Sequence, residues 1–392
     1  MTERLYYTDP YLAEFDANVL RIEEHEGRPA AVLDRTAFYP TSGGQPFDVG
    51  TLGDSTVVDV IDREDGVILH VIDREIAAGP VRGAIDWTRR FEHMQQHTGQ
   101  HVLSAAFDRL IGARTESFHL GTLSATIDLN RTVSSMEIER VEDEANRVVW
   151  ENRPVAIRFA DADEAARLPF RKEPVRTGRL RIIEVQDFDI SACGGTHVAR
   201  TGGIGAIVVR STETFRGGTR VEFLCGVRAL RGYRELRASV DGSIRLLSVL
   251  PSHLAAGIER LQADAKDAKR QIKDLQTRLA SFEANALAAR AEQTGNGSAI
   301  IAALDGWDQQ GLKMIASAIA SRPGHLAALF SVPAPSAVVI ARAADVNVDS
   351  GSLLKKLIER FGGKGGGRPE LAQGGGLQGS ADEVIAFVRS QL

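Results

Sequence analysis

A heptad repeat between residues 254 and 286 constrains the fold of this chain more than any other feature of its sequence. Such a repeat gathers apolar residues along one stripe of a long helix and is typical of a coiled coil. The pattern leaves open whether the helix pairs within the chain or with a second chain, and its alanines also suit an amphipathic surface helix. The repeat consists of Leu254, Ile258, Leu261, Ala265, Ala268, Ile272, Leu275, Leu279, Phe282 and Ala286.

The regions before and after the repeat have different secondary-structure patterns. Residues 1–86 carry short β-branched segments between glycine and aspartate turns, which predicts a small β-barrel. A helix is predicted from the N-cap Asp86 to about Leu110, and the rest of the middle region reads as α+β. Beyond residue 298 strands and helices alternate around a glycine-rich segment, predicted to be a loop, in which nine of the 18 residues from Gly362 to Gly379 are glycine.

We therefore expect a multidomain α+β protein with four parts. These are a β-barrel at 1–86, an α+β domain at 87–248, coiled-coil helices at 249–297, and a C-terminal α/β domain with a Gly-rich loop at 298–392.

Composition excludes several classes of protein. The two cysteines, Cys193 and Cys225, exclude a disulfide framework and favour a reducing compartment. No apolar run reaches the ~20 residues of a membrane span, and the start of the chain has no secretory h-region, so a cytoplasmic protein is expected. The formal net charge of −5 at first argues against a nucleic-acid partner.

Two pairs of metal-ligand residues stand out. His97 and His101 lie four apart, on one face of the predicted helix, and Cys193 and His197 flank a Gly-Gly tight loop. Exposed histidines and a small buried cysteine are the ordinary alternatives, but together the four side chains suit zinc. The segment His97–His101 lacks the glutamate of a His-Glu-x-x-His metalloprotease. Four protein ligands are typical of a structural zinc site with no open coordination position. The two pairs are far apart in sequence, however, and this favours a site in a functional cleft.

Three segments carry a family resemblance. Residues 38–50 (FYPTSGGQPFDVG), 89–101 (RRFEHMQQHTGQH) and 193–198 (CGGTHV) resemble the editing domain of alanyl-tRNA synthetase and its freestanding AlaX-type relatives. The glycine-rich segment, ending GGGRPELAQGGG, resembles the C-terminal domain of the same synthetase. The resemblance covers nearly the whole chain, in the same order.

The resemblance implies a trans-acting aminoacyl-tRNA deacylase that hydrolyses Ser-tRNA(Ala) or Gly-tRNA(Ala). Such mischarged tRNAs need a second site because a synthetase pocket for alanine discriminates poorly against glycine and serine. The resemblance also implies no aminoacylation, because the synthetase's class II catalytic domain is not seen ahead of the barrel. The middle part is then a zinc-containing editing domain with one zinc ion per chain. By resemblance, the zinc ligands are His97, His101, Cys193 and His197.

Further roles follow from the same resemblance. Thr41 and Gln45 are expected at the aminoacyl group as catalytic and serine-recognition residues, and Gly43 and Gly44 are expected to let the backbone approach the substrate. Basic and glycine residues of the C-terminal domain are expected to contact tRNA phosphates, in a stretch with a local charge of +4. They are Lys364, Gly365, Gly366, Gly367 and Arg368. A homodimer through the coiled coil and the C-terminal domain is also expected.

Several alternatives remain open at this point. Zinc either activates a water molecule or orients the aminoacyl group while backbone N–H groups stabilise the oxyanion. A threonyl-type editing deacylase shares the two ligand pairs. A zinc-containing RNA-binding protein without turnover is a third possibility. His93 has no ligand role by resemblance, and Cys225 is expected to be a core residue.

Overall fold

The computed structural model describes residues 1–172, 178–332 and 334–392. It divides the chain into two compact units, residues 1–242 and 243–392. The first unit contains both the expected barrel and most of the expected editing domain, and the four-part division stays a prediction. Within the described ranges, no helix is both long and apolar enough to span a membrane.

A closed six-stranded barrel opens the first unit, as the short β-branched segments predicted. Alternate residues of its first long strand, from Phe15 to Val19, point into the barrel core. The strands up to this point are β1 (Glu3–Arg4), β2 (Glu14–His25), β3 (Arg28–Leu33), β4 (Arg35–Thr36), β5 (Gly50–Leu52), β6 (Ser55–Asp62), β7 (Ile68–Ile72) and β8 (Gly79–Ile85). The barrel order is β2-β3-β7-β6-β5-β8, while β1 pairs in parallel with β4.

Helix α1 (Trp87–Ile111) follows the barrel and confirms the predicted helix. The Asp86 side chain caps its start by accepting the Arg89 N–H, and Gly112 ends it in a left-handed conformation. Every residue of α1 from His93 to Phe107 is buried. The histidines of this helix are therefore held inside the unit.

The rest of the first unit packs around α1. A core shared by Val102, Val148 and Phe223 joins two helices to a four-stranded sheet of order β14-β15-β10-β9. A second sheet has the order β11-β12-β13. The elements are β9 (Thr115–Leu120), β10 (Ala125–Leu129), α2 (Ser135–Trp150), β11 (Val155–Ala160), α3 (Ala162–Ala165), β12 (Leu180–Val185), β13 (Asp189–Ala192), β14 (Ile207–Phe215), β15 (Gly218–Cys225) and α4 (Gly226–Leu247), the last of which crosses the division between the units. Single 3₁₀ turns lie at Leu5–Tyr7, Thr201–Ile204 and, in the second unit, Pro251–His253.

The second unit is a three-layer α/β fold, as predicted for the C-terminal region. Its sheet has the order β16-β17-β18-β19-β21-β20. Helix α6 and the end of α5 cover one face of the sheet, and α7 and α8 cover the other. The elements are α5 (Leu254–Ala288), β16 (Glu292–Thr294), β17 (Gly297–Asp305), α6 (Gln309–Ala320), β18 (His325–Val332), β19 (Ser336–Arg342), α7 (Ser350–Phe361), β20 (Lys364–Arg368), β21 (Leu371–Leu377) and α8 (Ala381–Arg389).

The heptad repeat lies on the single helix α5. The large apolar residues of its seam are exposed from Ile258 (42%) to Phe282 (70%), whereas Leu254 at the start of the helix is half-buried. A different face of the last turns, with Ala280 and Ala284, is buried against α6. The long helix is thus confirmed, whereas its pairing as a coiled coil stays a prediction.

The glycine-rich segment is not the loop that was predicted. Residues Lys364–Arg368 and Leu371–Leu377 form an antiparallel hairpin, with β20 as an exposed edge strand. A side chain at Gly365 or Gly367 would collide with the backbone of β21, so glycine permits this close pairing. The segment lacks the period-two alternation of apolar residues that indicates a strand, and its many glycines are typical of a turn. The prediction of a loop was wrong for this reason.

Candidate metal centre

The four predicted ligands meet at one point of the first unit. One ligand atom from each of His97, His101, Cys193 and His197 can be chosen so that all four lie within 4.8 Å of one another. The Cys193 Sγ lies 3.4 Å from His97 Nε2 and 3.3 Å from His197 Nε2. Helix α1 supplies two of the ligands, and the tight loop after β13 supplies the other two. The spacing argument is confirmed as geometry: this cluster could hold a metal ion.

Each histidine of the cluster uses its Nδ1 for a bond to the protein. His97 Nδ1 lies 2.8 Å from Gln45 Oε1, His101 Nδ1 lies 3.0 Å from Asp189 Oδ2, and His197 Nδ1 lies 3.2 Å from Thr98 Oγ1. The Gln45 and Asp189 oxygens accept, and the Thr98 hydroxyl already donates to the Met94 carbonyl. Each Nδ1 must therefore carry its hydrogen.

This hydrogen-bond pattern leaves the Nε2 lone pair of each imidazole free for a metal ion. Partners of this kind fix the ring and its tautomer in metal sites. The arrangement of the cluster therefore fits zinc, which is bound by imidazole nitrogen and thiolate.

The charges around the cluster favour a thiolate. Although burial raises the pKa of the Cys193 thiol, His97 and His197 outweigh it and hold that pKa well below its usual value. Burial likewise raises the pKa of Asp189, but the His101 hydrogen bond and the Arg171 charge lower it to about 2. The Asp189 carboxylate is therefore ionised beside His101 at neutral pH, and the lowered pKa of Cys193 favours the thiolate form that binds metal ions.

Asp189 is held by more than His101. Its Oδ1 accepts from Arg171 Nε at 2.8 Å, and its Oδ2 accepts from Ser191 Oγ at 2.9 Å. Sequence reasoning missed this carboxylate. The period of two along β13 carries the signal, because it puts residues 189, 191 and 193 on the same side of the chain.

Replacing Asp189 by asparagine is expected to lower zinc affinity about 10- to 100-fold, the usual cost of losing a partner that orients a ligand histidine. The amide cannot pair with the Arg171 charge and holds His101 less firmly. Competition with a chelating dye measures the change. Asp187→Asn, an exposed neighbour on the preceding turn, is the matched control. Equal affinity of the Asp189 variant and the wild type would contradict the orienting role.

A glycine turn brings Gln45 to the cluster. Ser42 and Gln45 exchange backbone hydrogen bonds across Gly43 and Gly44, whose φ angles of +56° and +86° favour glycine. Gln45 is fully buried, and its Nε2 donates to Thr196 Oγ1 at 2.9 Å while Thr196 N–H donates to its Oε1. These bonds fix the Gln45 carbonyl toward His97.

Thr41 occupies the other side of this turn. It is exposed, and its Oγ1 accepts from the Phe47 N–H at 3.1 Å. Ser42 and Gly43 line the cavity described next, while Thr41 and Gln45 do not. The Gln45 side chain therefore contacts His97 and not the cavity. Substrate contacts by Thr41 and Gln45 stay predictions.

A cavity of about 640 Å³ opens beside the cluster. His97, His101 and Cys193 form part of its wall. Aromatic and cationic side chains dominate the remainder, with carboxylates at only two positions, Asp62 and Glu116, among the described lining residues. The aromatic and cationic members are Tyr6, Tyr7, Tyr39, Phe118, Phe159, Arg4, Arg171, Lys172, Arg179 and Arg181.

Arg181 ties the cavity wall to the ligand loop. Its Nη1 donates to the carbonyls of Cys193 and Gly195 at 2.7 and 2.8 Å, and its Nε donates to the Tyr7 carbonyl. Among the described residues, neither Arg181 Nη2 nor the buried Tyr6 hydroxyl has a hydrogen-bond partner. Unsatisfied buried donors are costly and are often found where a ligand binds.

The remaining candidates lie elsewhere. His93 is buried but lies outside the ligand cluster, and burial lowers its pKa to about 3. Cys225 is fully buried in the core, as expected. The predicted tRNA contacts Lys364 to Arg368 lie on β20 of the second unit, all five of them exposed.

Two family models match the chain. Residues 180–222 match the threonyl and alanyl tRNA synthetase second additional domain, a stretch that contains Cys193 and His197. Residues 296–392 match the DHHA1 domain.

Known proteins match over longer stretches. The alanyl-tRNA editing protein AlaX-L of Pyrococcus horikoshii is 32% identical over 410 residues, which cover 100% of this chain and 98% of that protein. The alanine–tRNA ligase of Pyrococcus furiosus is 34% identical and covers 95% of this chain, which spans only 42% of the ligase. The solved C-Ala domain of Aquifex aeolicus alanyl-tRNA synthetase is 20% identical, with a TM-score of 0.24, and covers 26% of this chain and 95% of that domain.

Proposed function

Since this chain belongs to the family of AlaX-L alanyl-tRNA editing proteins, we propose that it hydrolyses the ester of Ser-tRNA(Ala) or Gly-tRNA(Ala) in trans. The observation that carries the proposal is the cluster of three histidines and one cysteine, three members of which (His97, His101 and Cys193) line a cavity of about 640 Å³. Smaller or hydroxylated amino acids escape an alanine pocket, and a second hydrolytic site removes them. The whole-chain likeness to AlaX-L supports alanyl-tRNA editing, and the choice of serine or glycine is our proposal.

One zinc ion per chain is proposed at the cluster. His97, His101 and His197 would offer their Nε2 lone pairs, and Cys193 would offer its thiolate. When bound there, zinc would supply Lewis-acid chemistry next to the ester. Gln45 acts in this proposal through His97, whose ring it orients.

The cationic and aromatic wall suits the 3′ end of a tRNA. Arg179 and Arg181 can attract phosphate oxygens, and aromatic faces such as that of Phe159 can stack on a base. Gly43 presents only backbone to the cavity, so an acylated ribose can approach the main chain there. Gly44 lies one residue further along the same turn, and Thr41 stays a proposed contact at its edge.

The exposed strand β20 is proposed as the tRNA contact of the second unit, together with Lys364 and Arg368 at its ends. Unpaired backbone N–H groups at a glycine edge and flanking cations both suit phosphates. The double variant Lys364→Ala/Arg368→Ala should bind tRNA(Ala) more weakly, and the slope of log K against log salt should fall by about 0.7 to 0.9 per lost phosphate contact.

The matched control for this binding measurement is Lys269→Ala/Lys273→Ala, which removes two exposed cations from α5. Filter binding at several salt concentrations gives both quantities. If the β20 variant kept the wild-type salt slope, the contact would have to lie elsewhere.

A homodimer through the seam of α5 is also proposed, because this seam repeats apolar residues in heptads and is exposed in the single chain. Sedimentation equilibrium should give twice the mass of one chain, and Leu275→Asp should give one chain mass. Lys273→Asp, at an exposed residue on the face of α5 away from the seam, should stay dimeric. A wild-type mass of one chain would contradict the dimer.

The experiment that tests the function compares Ser-, Gly- and Ala-tRNA(Ala) as substrates, with and without a chelator. Loss of the mischarged esters, stopped by the chelator and restored by zinc, is expected. No ATP-dependent charging of tRNA(Ala) with alanine by this chain is expected. Hydrolysis of Ser-tRNA(Thr) in preference to Ser-tRNA(Ala) would favour threonyl-type editing, and hydrolysis of none would favour a non-catalytic RNA-binding protein.

A further inference from the structure

Most hydroxyl groups near the cluster are already used within the protein. Thr115 Oγ1 donates to Ser104 Oγ at 2.7 Å, and Ser191 Oγ donates to Asp189. The Tyr39 hydroxyl donates to the Ser42 carbonyl at 3.0 Å. Each of these hydroxyl groups has already committed its hydrogen to an acceptor within the protein.

Gln100 differs from these groups. It lies on α1 between the ligands His97 and His101, lines the cavity, and is only 6% exposed. Its Nε2 donates to Ser104 Oγ at 2.9 Å, one turn further along the helix. Its Oε1 has no hydrogen-bond donor in the part of the chain that the structure describes, and that oxygen is not sealed from the cavity.

The Gln100 carbonyl oxygen, a nearly buried acceptor without a donor among the described residues, should prefer a seryl group to a glycyl or alanyl group. A carbonyl oxygen gains a bond from the serine hydroxyl, whereas glycine and alanine have no side-chain donor to offer. A site that hydrogen-bonds a substrate hydroxyl discriminates strongly, because its polar group stays unpaired with the other substrates. The α-ammonium group, by contrast, is common to all three and would not separate them.

We propose that the Gln100 side-chain carbonyl accepts a hydrogen bond from the hydroxyl of a tRNA-linked serine, which makes Gln100 the residue that selects the hydroxylated aminoacyl ester. This inference rests on the proposed deacylase function and adds Gln100 to Thr41 and Gln45, the residues already predicted for serine recognition. Ser104 contributes by fixing the amide, with Thr115 holding Ser104 in turn.

The test compares kcat/KM for Ser-tRNA(Ala) and Gly-tRNA(Ala) in the full chain and in Gln100→Met, which keeps the side-chain length but has no carbonyl. Activity on the seryl substrate should fall about 10-fold or more, the value of one substrate hydrogen bond in a buried site. Activity on the glycyl substrate should stay within about two-fold. Zinc content, measured on the same samples, should be unchanged.

A second variant keeps the inference testable if Gln100→Met does not fold or loses zinc. Gln100→Glu keeps an acceptor of the same reach, so the ratio of seryl to glycyl activity should equal or exceed that of the wild type. An equal loss on both substrates in Gln100→Met, no loss on the seryl substrate, or a reduced ratio in Gln100→Glu would overturn the assignment. A wild-type chain that hydrolyses neither ester would instead overturn the proposed function itself.

Discussion

Replacing Cys193 by alanine is expected to abolish zinc binding and to lower deacylation of Ser-tRNA(Ala) by more than about 100-fold. The thiolate is the one anion among the four ligands, and its Sγ lies within 3.4 Å of Nε2 of both His97 and His197. Losing a partner that merely orients a ligand costs about 10- to 100-fold, so losing a ligand should cost more. Metal analysis of the purified protein and a deacylation time course give the two readouts.

Cys225→Ala is the matched control for this experiment. Cys225 is fully buried in the core next to α1 and contributes no ligand to the cluster. Its replacement should cost some stability through a small cavity but leave zinc content and deacylation near those of the wild type. Full deacylation by Cys193→Ala would rule out a mechanism centred on the metal.

Gly195→Ala is expected to be nearly as damaging, for a steric reason. A Cβ at residue 195 would overlap the Cε1 and Nδ1 atoms of His97 and lie 3.1 Å from Gln45 Oε1. The ring would have to leave Gln45, or the ligand loop would have to shift away from α1. A displacement of about 1 Å at a reacting centre can cost 10²-fold in rate, and the overpacking itself should cost about 1–3 kcal/mol of stability.

The neighbouring glycine offers a control for this variant. A Cβ at Gly194 would meet the Tyr7 hydroxyl at 3.6 Å, an ordinary van der Waals distance. Gly194→Ala should therefore keep most of the zinc affinity and activity that Gly195→Ala loses. If both variants behaved alike, general rigidity of the loop, and not the space beside His97, would be the cause.

The ligands themselves could be predicted from the sequence because their spacing is local. Four residues along a helix put His97 and His101 on one face, and a Gly-Gly turn brings Cys193 and His197 together. The strands of the barrel and the N-cap of α1 were predictable for the same reason. Short-range rules of turns, caps and periodicity determine them.

The surroundings of the ligands could not be predicted in the same way. Gln45 reaches His97 from a turn 52 residues away, and Asp189 reaches His101 from 88 residues away. Such pairs depend on how the barrel segment and β13 pack against α1, which no local pattern encodes. The hairpin of β20 and β21 could not be predicted for a related reason. The glycines of β20 are extended because this strand pairs with β21, and the composition of the segment alone does not indicate that pairing.

The division of the ligands between α1 and the loop after β13 also links metal concentration to folding. A bound ion would join two segments that are distant along the chain, and the unfolded chain holds no such preformed site. Ligand binding to the folded state alone stabilises it by about 4 kcal/mol when the free ligand is 1,000 times its Kd. The first unit would thus unfold at a temperature set partly by free zinc, and metal starvation would deplete the folded protein as well as its activity.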